Sequence, residues 1–292
     1  MKPLQLFRSL VGLIALTLVP GAFAAEAVAG SFEEFAVTRD GVTFNVRVQS
    51  PPPGKLAAHP LLLVFLSADR QSSMPDGRYG SPGKAFLEQG HRIVSYDLPA
   101  HGERVDQYGS SIAGLAAQVA AGRKPFDTVV ADGRAVIDEC LRRGLAERSG
   151  IVAAGVSRGG YCALRLAAAD ERISAVAAFA PVTDWAVVDE FAAQKASPEV
   201  AALALANFAP QLAGRRVYVA IGNHDPRVGT DACTRFVLAV AEQERARKIE
   251  KTGLRYLIVD DSVGHALAAK WRAEGIAFLL KMPDGLDGGK MP

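Results

Sequence analysis

The chain has 292 residues, 49% of them hydrophobic and 22% charged, with a formal net charge of +2. That length and apolar share suit one large α/β domain with an ample core and argue against a disordered chain. Both surplus charges, Lys2 and Arg8, lie near the N-terminus, so the other 31 basic side chains match the 31 acidic ones and nothing favours nucleic acid or an anionic surface as partner.

Lys2 and Arg8 flank the start of an apolar run, Leu10 to Val19, that is too short to span a bilayer. Pro20-Gly21 breaks it, and Ala22-Phe23-Ala24 fits an A-x-A cleavage site. Residues 1–24 are therefore expected to be a secretory signal peptide cut before Ala25, with an uncleaved anchor as the alternative. The mature chain, 25–292, is expected to be a single domain that is periplasmic or secreted and carries no membrane anchor. Cys140, Cys162 and Cys233 fall in helix-like segments without a disulfide framework or a zinc spacing, so three free thiols are expected despite export.

Phe35 to Thr38 and Val42 to Val48 read as strands of a hairpin turning at Asp40-Gly41. Pro51-Pro52-Pro53-Gly54 ends it. Leu61 to Leu66 is a continuous apolar run, the pattern of a parallel strand buried on both faces. A glycine-containing loop leads to a short helix near Lys84–Glu88, then to a strand, Ile93 to Asp97. Val129 to Arg142 has helical periodicity. Ile151 to Ala154 is a strand, and Tyr161 to Ala169 is helix-compatible. The alternation continues with a strand at Ala175–Ala180 and an unusually apolar segment, Trp185 to Leu212, which reads as mostly helical: either a sheet-packing helix or a small lid. A strand at 216–221, a helix at 231–247, a strand at 256–260 and a helix at 266–280 complete the chain, before a tail from Met282 rich in glycine and proline. An opening hairpin followed by strict alternation implies a mostly parallel central sheet with helices on both faces. Chemistry in such sheets sits at the carboxyl ends of the strands.

Between the strand at 151–154 and the helix after it stands Gly155-Val156-Ser157-Arg158-Gly159-Gly160. A G-x-S-x-G turn in that setting is a nucleophile elbow, which raises the serine hydroxyl above the sheet edge. A serine hydroxyl needs an adjacent base, and the base an orienting acid. Asp225 and His265 stand in strand-end loops on the same edge, in the chain order Ser, Asp, His that elbow enzymes use. Asp184, in the loop after the strand at 175–180, is the rival acid. His101 fits a scaffold turn better than a catalytic role, His224-Asp225 lack a third metal ligand nearby, and Cys162 fits a small packing residue.

These residues, with Asp97-Leu98-Pro99-Ala100-His101-Gly102-Glu103, Arg227-Val228 and Gly264, resemble the α/β-hydrolases. The G-x-S-x-G-G elbow and the G-x-x-D-x-R-V acid loop are similar to the dienelactone-hydrolase and prolyl-oligopeptidase-like branch, over about Phe35 to Leu280. The resemblance implies Ser157 as nucleophile, His265 as base and Asp225 as acid. The family often has His-Gly where this chain has Ser67-Ala68-Asp69, so one oxyanion-hole amide is expected from this stretch, at Ala68 or Asp69, and the other from Arg158. No stretch resembles the propeller of oligopeptidases, so their size gate is not expected. The expected function is hydrolysis of a small carboxylic ester through an acyl-enzyme, with no cofactor and no metal. A peptidase acting on short peptides, or a non-catalytic binding member of the fold, is the alternative.

Overall fold

The computed structural model describes residues 31–261 and 264–281. The signal segment 1–24, its cut before Ala25 and the tail from Met282 lie outside the described residues.

Strands β1 (Phe32–Arg39) and β2 (Val42–Gln49) form the antiparallel hairpin. Its turn needs positive φ at both central residues, and Asp40 (φ 50°) and Gly41 (φ 76°) supply it. Phe35, Val37, Phe44, Val46 and Val48 face the core, in the period of two that a half-buried ribbon requires. Strand β3 (Leu62–Leu66) is buried along its whole length. Leu62, Val64 and Leu66 enter the core on one face, while the preceding Leu61 with Leu63 and Phe65 enter it on the other.

With β4 (Arg92–Tyr96), β5 (Ile151–Val156), β6 (Ile173–Phe179), β7 (Arg216–Gly222) and β8 (Leu254–Val259), these strands make an eight-stranded sheet in the order β1-β2-β4-β3-β5-β6-β7-β8. Strands β3 to β8 are mutually parallel, and β2 joins them antiparallel through β4. Helices α1 (Ser81–Glu88) and α8 (Ala269–Leu280) cover one face through Phe86, Leu87, Ile276 and Leu279. The other face is covered by α2 (Ser111–Ala120), α3 (Pro125–Arg142), α4 (Arg158–Ala169) and α7 (Thr230–Ala246). This is the α/β-hydrolase architecture.

The structure adds one helix and corrects one expectation. Helix α2 was hidden in the sequence because Ala113, Gly114, Ala116 and Ala117 give it little polar contrast; Ile112, Leu115 and Val119 bury it. The stretch 185–212 is not a continuous helix. It runs through short 3-10 segments at Trp185–Val187, Asp189–Gln194 and Leu205–Phe208, with one-turn helices α5 (Pro198–Ala201) and α6 (Ala209–Leu212). Pro198 and Pro210 interrupt any longer ladder, and the side chains of Asp184 and Ser197 cap new turns instead. Its apolar residues fill the core: Trp185 is fully buried, with ring centroids 4.6 Å from Phe126, 5.2 Å from Tyr161 and 5.0 Å from Phe191. Tyr161 also donates a hydrogen bond to the Leu203 carbonyl, and Gln194 Nε2 one to Ala116.

Candidate active site

Strand β5 stops at Val156, and α4 begins at Arg158, leaving Ser157 alone in the turn at φ 57°, ψ −121°. An L-residue reaches that region only under strain, so the surroundings must hold it there. Ser157 N donates to the Phe179 carbonyl at the end of β6, and Ser157 O accepts from Val182 N and Tyr161 N. A Cβ on Gly155 would lie 2.2 Å from the Gly159 carbonyl oxygen, and one on Gly159 would lie 2.0 Å from that of Leu66. Only hydrogen fits at either position.

Asp225 follows β7 by three residues, and His265 follows β8 by six. The sheet order brings both loops beside the elbow. His265 Nε2 is 2.9 Å from Ser157 Oγ, and His265 Nδ1 is 2.8 Å from Asp225 Oδ2. The other carboxylate oxygen, Oδ1, accepts from the backbone N–H groups of Arg227 (3.0 Å) and Val228 (3.2 Å). Thr230 ties the loop down, since its hydroxyl accepts from Asp225 N and donates to the Gly222 carbonyl. The Asp225 side chain is 1% exposed and that of His265 31%, so the acid is sealed while the imidazole opens to the cleft. A carboxylate only accepts hydrogen bonds, which places the imidazole proton on Nδ1 and leaves the Nε2 lone pair facing the serine hydroxyl.

Asp184 and His101 are engaged elsewhere. Asp184 Oδ1 accepts from Ala186 N and caps the turn there. His101 is buried, with Nδ1 2.8 Å from the Pro99 carbonyl, and burial together with the Arg158 charge pushes its pKa down to about 4. Its turn is organised by Asp97, which accepts from Arg70 N, Arg70 Nη1 and Glu103 N. His224 is exposed, and among the described residues no group of three His, Cys, Asp or Glu is placed to hold a metal. Cys162 is buried, which pushes its thiol up to about 12 and leaves it inert.

Residues 67–69 close the other side of the elbow. Ser67 lines the cleft, and Gly159 packs against its Cα. The Ala68 carbonyl accepts from Leu98 N. Burial would raise the pKa of Asp69, yet hydrogen bonds from Ser72 and Gln71 outweigh it and hold the carboxylate below its usual range. That carboxylate is thus turned into its own loop.

The cleft above Ser157 has a volume of about 450 Å³. Four arginines line it: Arg78, Arg158, Arg227 and Arg272. Sequence reasoning passed over this grouping. Arg158 and Arg227 adjoin Ser157 and Asp225, but Arg78 and Arg272 come from a loop and a terminal helix that carry no local signal.

The fold has counterparts among solved structures. An esterase from an Arctic intertidal metagenomic library, described as cold-adapted, superposes with TM-score 0.60 at 18% identity over 85% of this chain and 92% of its own. A puromycin-hydrolyzing peptidase of Mycobacterium tuberculosis gives 0.62 at 17% identity over 90% of this chain. The acylaminoacyl peptidase of Pyrococcus horikoshii gives 0.62 at 15% identity over 85% of this chain. The chain spans 40% of the length of each of these two peptidases. No curated protein matches it significantly in sequence. The profile of the prolyl oligopeptidase family matches residues 104–280, more than half the chain and the whole stretch that carries the elbow, Asp225 and His265, so the chain belongs to that family of serine hydrolases.

Proposed function

We propose that the protein cleaves a carboxylic ester through an acyl-enzyme. The unbroken hydrogen-bonded chain from Ser157 Oγ through His265 to Asp225 carries this reading. Ser157 Oγ attacks the ester carbonyl carbon as His265 Nε2 takes its proton. The tetrahedral intermediate collapses, and the imidazolium returns that proton to the departing alcohol. Water, deprotonated by the same imidazole, then releases the acid and restores Ser157. Asp225 holds the Nδ1 tautomer and stabilises the imidazolium throughout. The Arg158 amide, at the N-terminus of α4, and an amide at Ala68 or Asp69 receive the oxyanion, a contribution of roughly 3 kcal/mol per donor.

Ester chemistry is favoured by the likeness to the esterase, which covers nearly all of that protein's length. Hydrolysis of short peptides is the second reading, supported by the likeness to the two peptidases. A non-catalytic role is disfavoured because Ser157, His265 and Asp225 are all present and mutually bonded. A fluorophosphonate should label the wild type and not Ser157→Ala; equal labelling of both would exclude Ser157 as nucleophile. A panel of 4-nitrophenyl acyl esters run beside aminoacyl-naphthylamides separates esterase from peptidase. The charged, apolar and A-x-A regions of residues 1–24 support export, and N-terminal sequencing of protein from the periplasm should begin at Ala25.

A further inference from the structure

The arginines of the cleft are out of balance with their surroundings. Among the described residues that line it there is no aspartate, glutamate or other negative side chain. Arg227 is neutralised outside the cleft floor by Glu190 at 2.6 Å and Asp189 at 3.8 Å. Arg158 is different. It is largely enclosed, and burial lowers its pKa from the ordinary arginine value. Besides burial, the groups that act on it most strongly are Tyr79, Cys162 and Arg227, none of them a carboxylate. Glu190 feels the Arg158 charge, but its Oε1 already accepts from Arg227. Arg158 Nε and Arg272 Nε are both shut off from solvent and, among the described residues, have no hydrogen-bond partner.

Arg158 has thus given up water without gaining an anion, which is costly, and since its Nε is shut off a substrate would meet the outer part of the guanidinium. Arg158, with partly buried Arg272 and exposed Arg78 beside it, leaves a cleft that is positive before substrate arrives. A guanidinium fork matches a planar carboxylate in both charge and geometry. We propose that the cleft selects substrates that carry a free carboxylate near the scissile carbonyl, held by Arg158 and Arg272, with Arg78 steering it in. The class is a monoester of a dicarboxylic acid or a comparably charged acyl compound. The inference rests on the hydrolase reading and names the substrate class for that site. It also accounts for Arg272 on α8, which reaches into the cleft from the face of the sheet opposite α4.

The test compares two esters of equal acyl length, mono-4-nitrophenyl adipate and its neutral methyl ester, by release of 4-nitrophenolate. The wild type should favour the anion in kcat/KM by about tenfold or more, the scale of one hydrogen bond to a charged group. Arg272→Gln and Arg158→Gln should each cut that preference by about tenfold, chiefly through KM, and Arg272→Lys should retain part of it. Protection of fluorophosphonate labelling by adipate, but not by dimethyl adipate, reads the same preference without turnover. A wild-type ratio at or below one, or a ratio that survives both glutamine substitutions, overturns the proposal. Labelling of Ser157 by a neutral fluorophosphonate does not depend on the arginines. A labelled enzyme without the anion preference therefore refutes only the substrate class, whereas an unlabelled one refutes the hydrolase reading itself.

Discussion

Replacing Asp225 by Asn exchanges one carboxylate oxygen for an NH₂ group and should disable the imidazole. In the structure, Oδ1 accepts from the Arg227 and Val228 amides while Oδ2 accepts from His265 Nδ1. An asparagine amide keeps its oxygen toward the two backbone donors, because the reverse would oppose N–H to N–H. Its NH₂ group then faces His265, and the ring must present a lone pair at Nδ1. The proton moves to Nε2, 2.9 Å from Ser157 Oγ, where a base is needed and a donor now stands. The corresponding loss in kcat is on the order of 10⁴, or about 5 kcal/mol at 1.36 kcal/mol per tenfold. The assay is steady-state hydrolysis of 4-nitrophenyl acetate, with thermal unfolding as the control for folding. Asp184→Asn, which touches only the cap of Ala186 N, should stay within a few-fold of wild type. A loss below about tenfold in Asp225→Asn, or a large loss in Asp184→Asn, would refute the tautomer argument.

Gly159→Ala would set a Cβ 2.0 Å from the Leu66 carbonyl oxygen, which belongs to a central strand and has nowhere to go; a destabilisation of about 3 kcal/mol or more by urea unfolding is expected, with most activity lost. His101 titrates at about 4 in the folded protein against an ordinary 6.5, because burial and then the Arg158 charge oppose protonation. Between those values the unfolded chain binds a proton that the folded one does not, so stability is full above pH 6.5 and falls as pH drops toward 4, by up to about 3 kcal/mol from this group. Urea unfolding at pH 7 and pH 4.5 should show that slope, and His101→Asn should flatten it. Cys140, Cys162 and Cys233 are all free and buried, each thiol pushed up to about 12 mainly by burial. All three should react with a maleimide only after denaturation, without reductant; recovery of a single reactive thiol would show that two had paired.

What the sequence determined by itself is what short-range physics writes into adjacent residues. The continuous apolar run at Leu61–Leu66, too short for a buried helix and preceded by Pro60, reads as a strand buried on both faces. Asp40-Gly41 accepts the positive φ of a tight hairpin, and glycines two places either side of Ser157 announce a turn too crowded for side chains. Chain order then put Asp225 and His265 on the same edge as Ser157. The choice between Asp225 and Asp184 was different, since both follow parallel strands and both are short acids in strand-end loops. Tertiary structure decided which carboxylate reaches the imidazole: β8 pairs with β7, so the loop after β7 meets His265, while Asp184 is used up as a local cap. Apolar content at 185–212 suggested a helix, because burial and helical periodicity look alike when most positions are apolar; two prolines and two caps broke it into turns. The gathering of Arg78, Arg158, Arg227 and Arg272 was least legible of all. Each arginine is ordinary where it stands in the chain, and only the docking of α8 and of the loop before α1 against the sheet turns them into one positive surface, since charge acts through space and not along sequence.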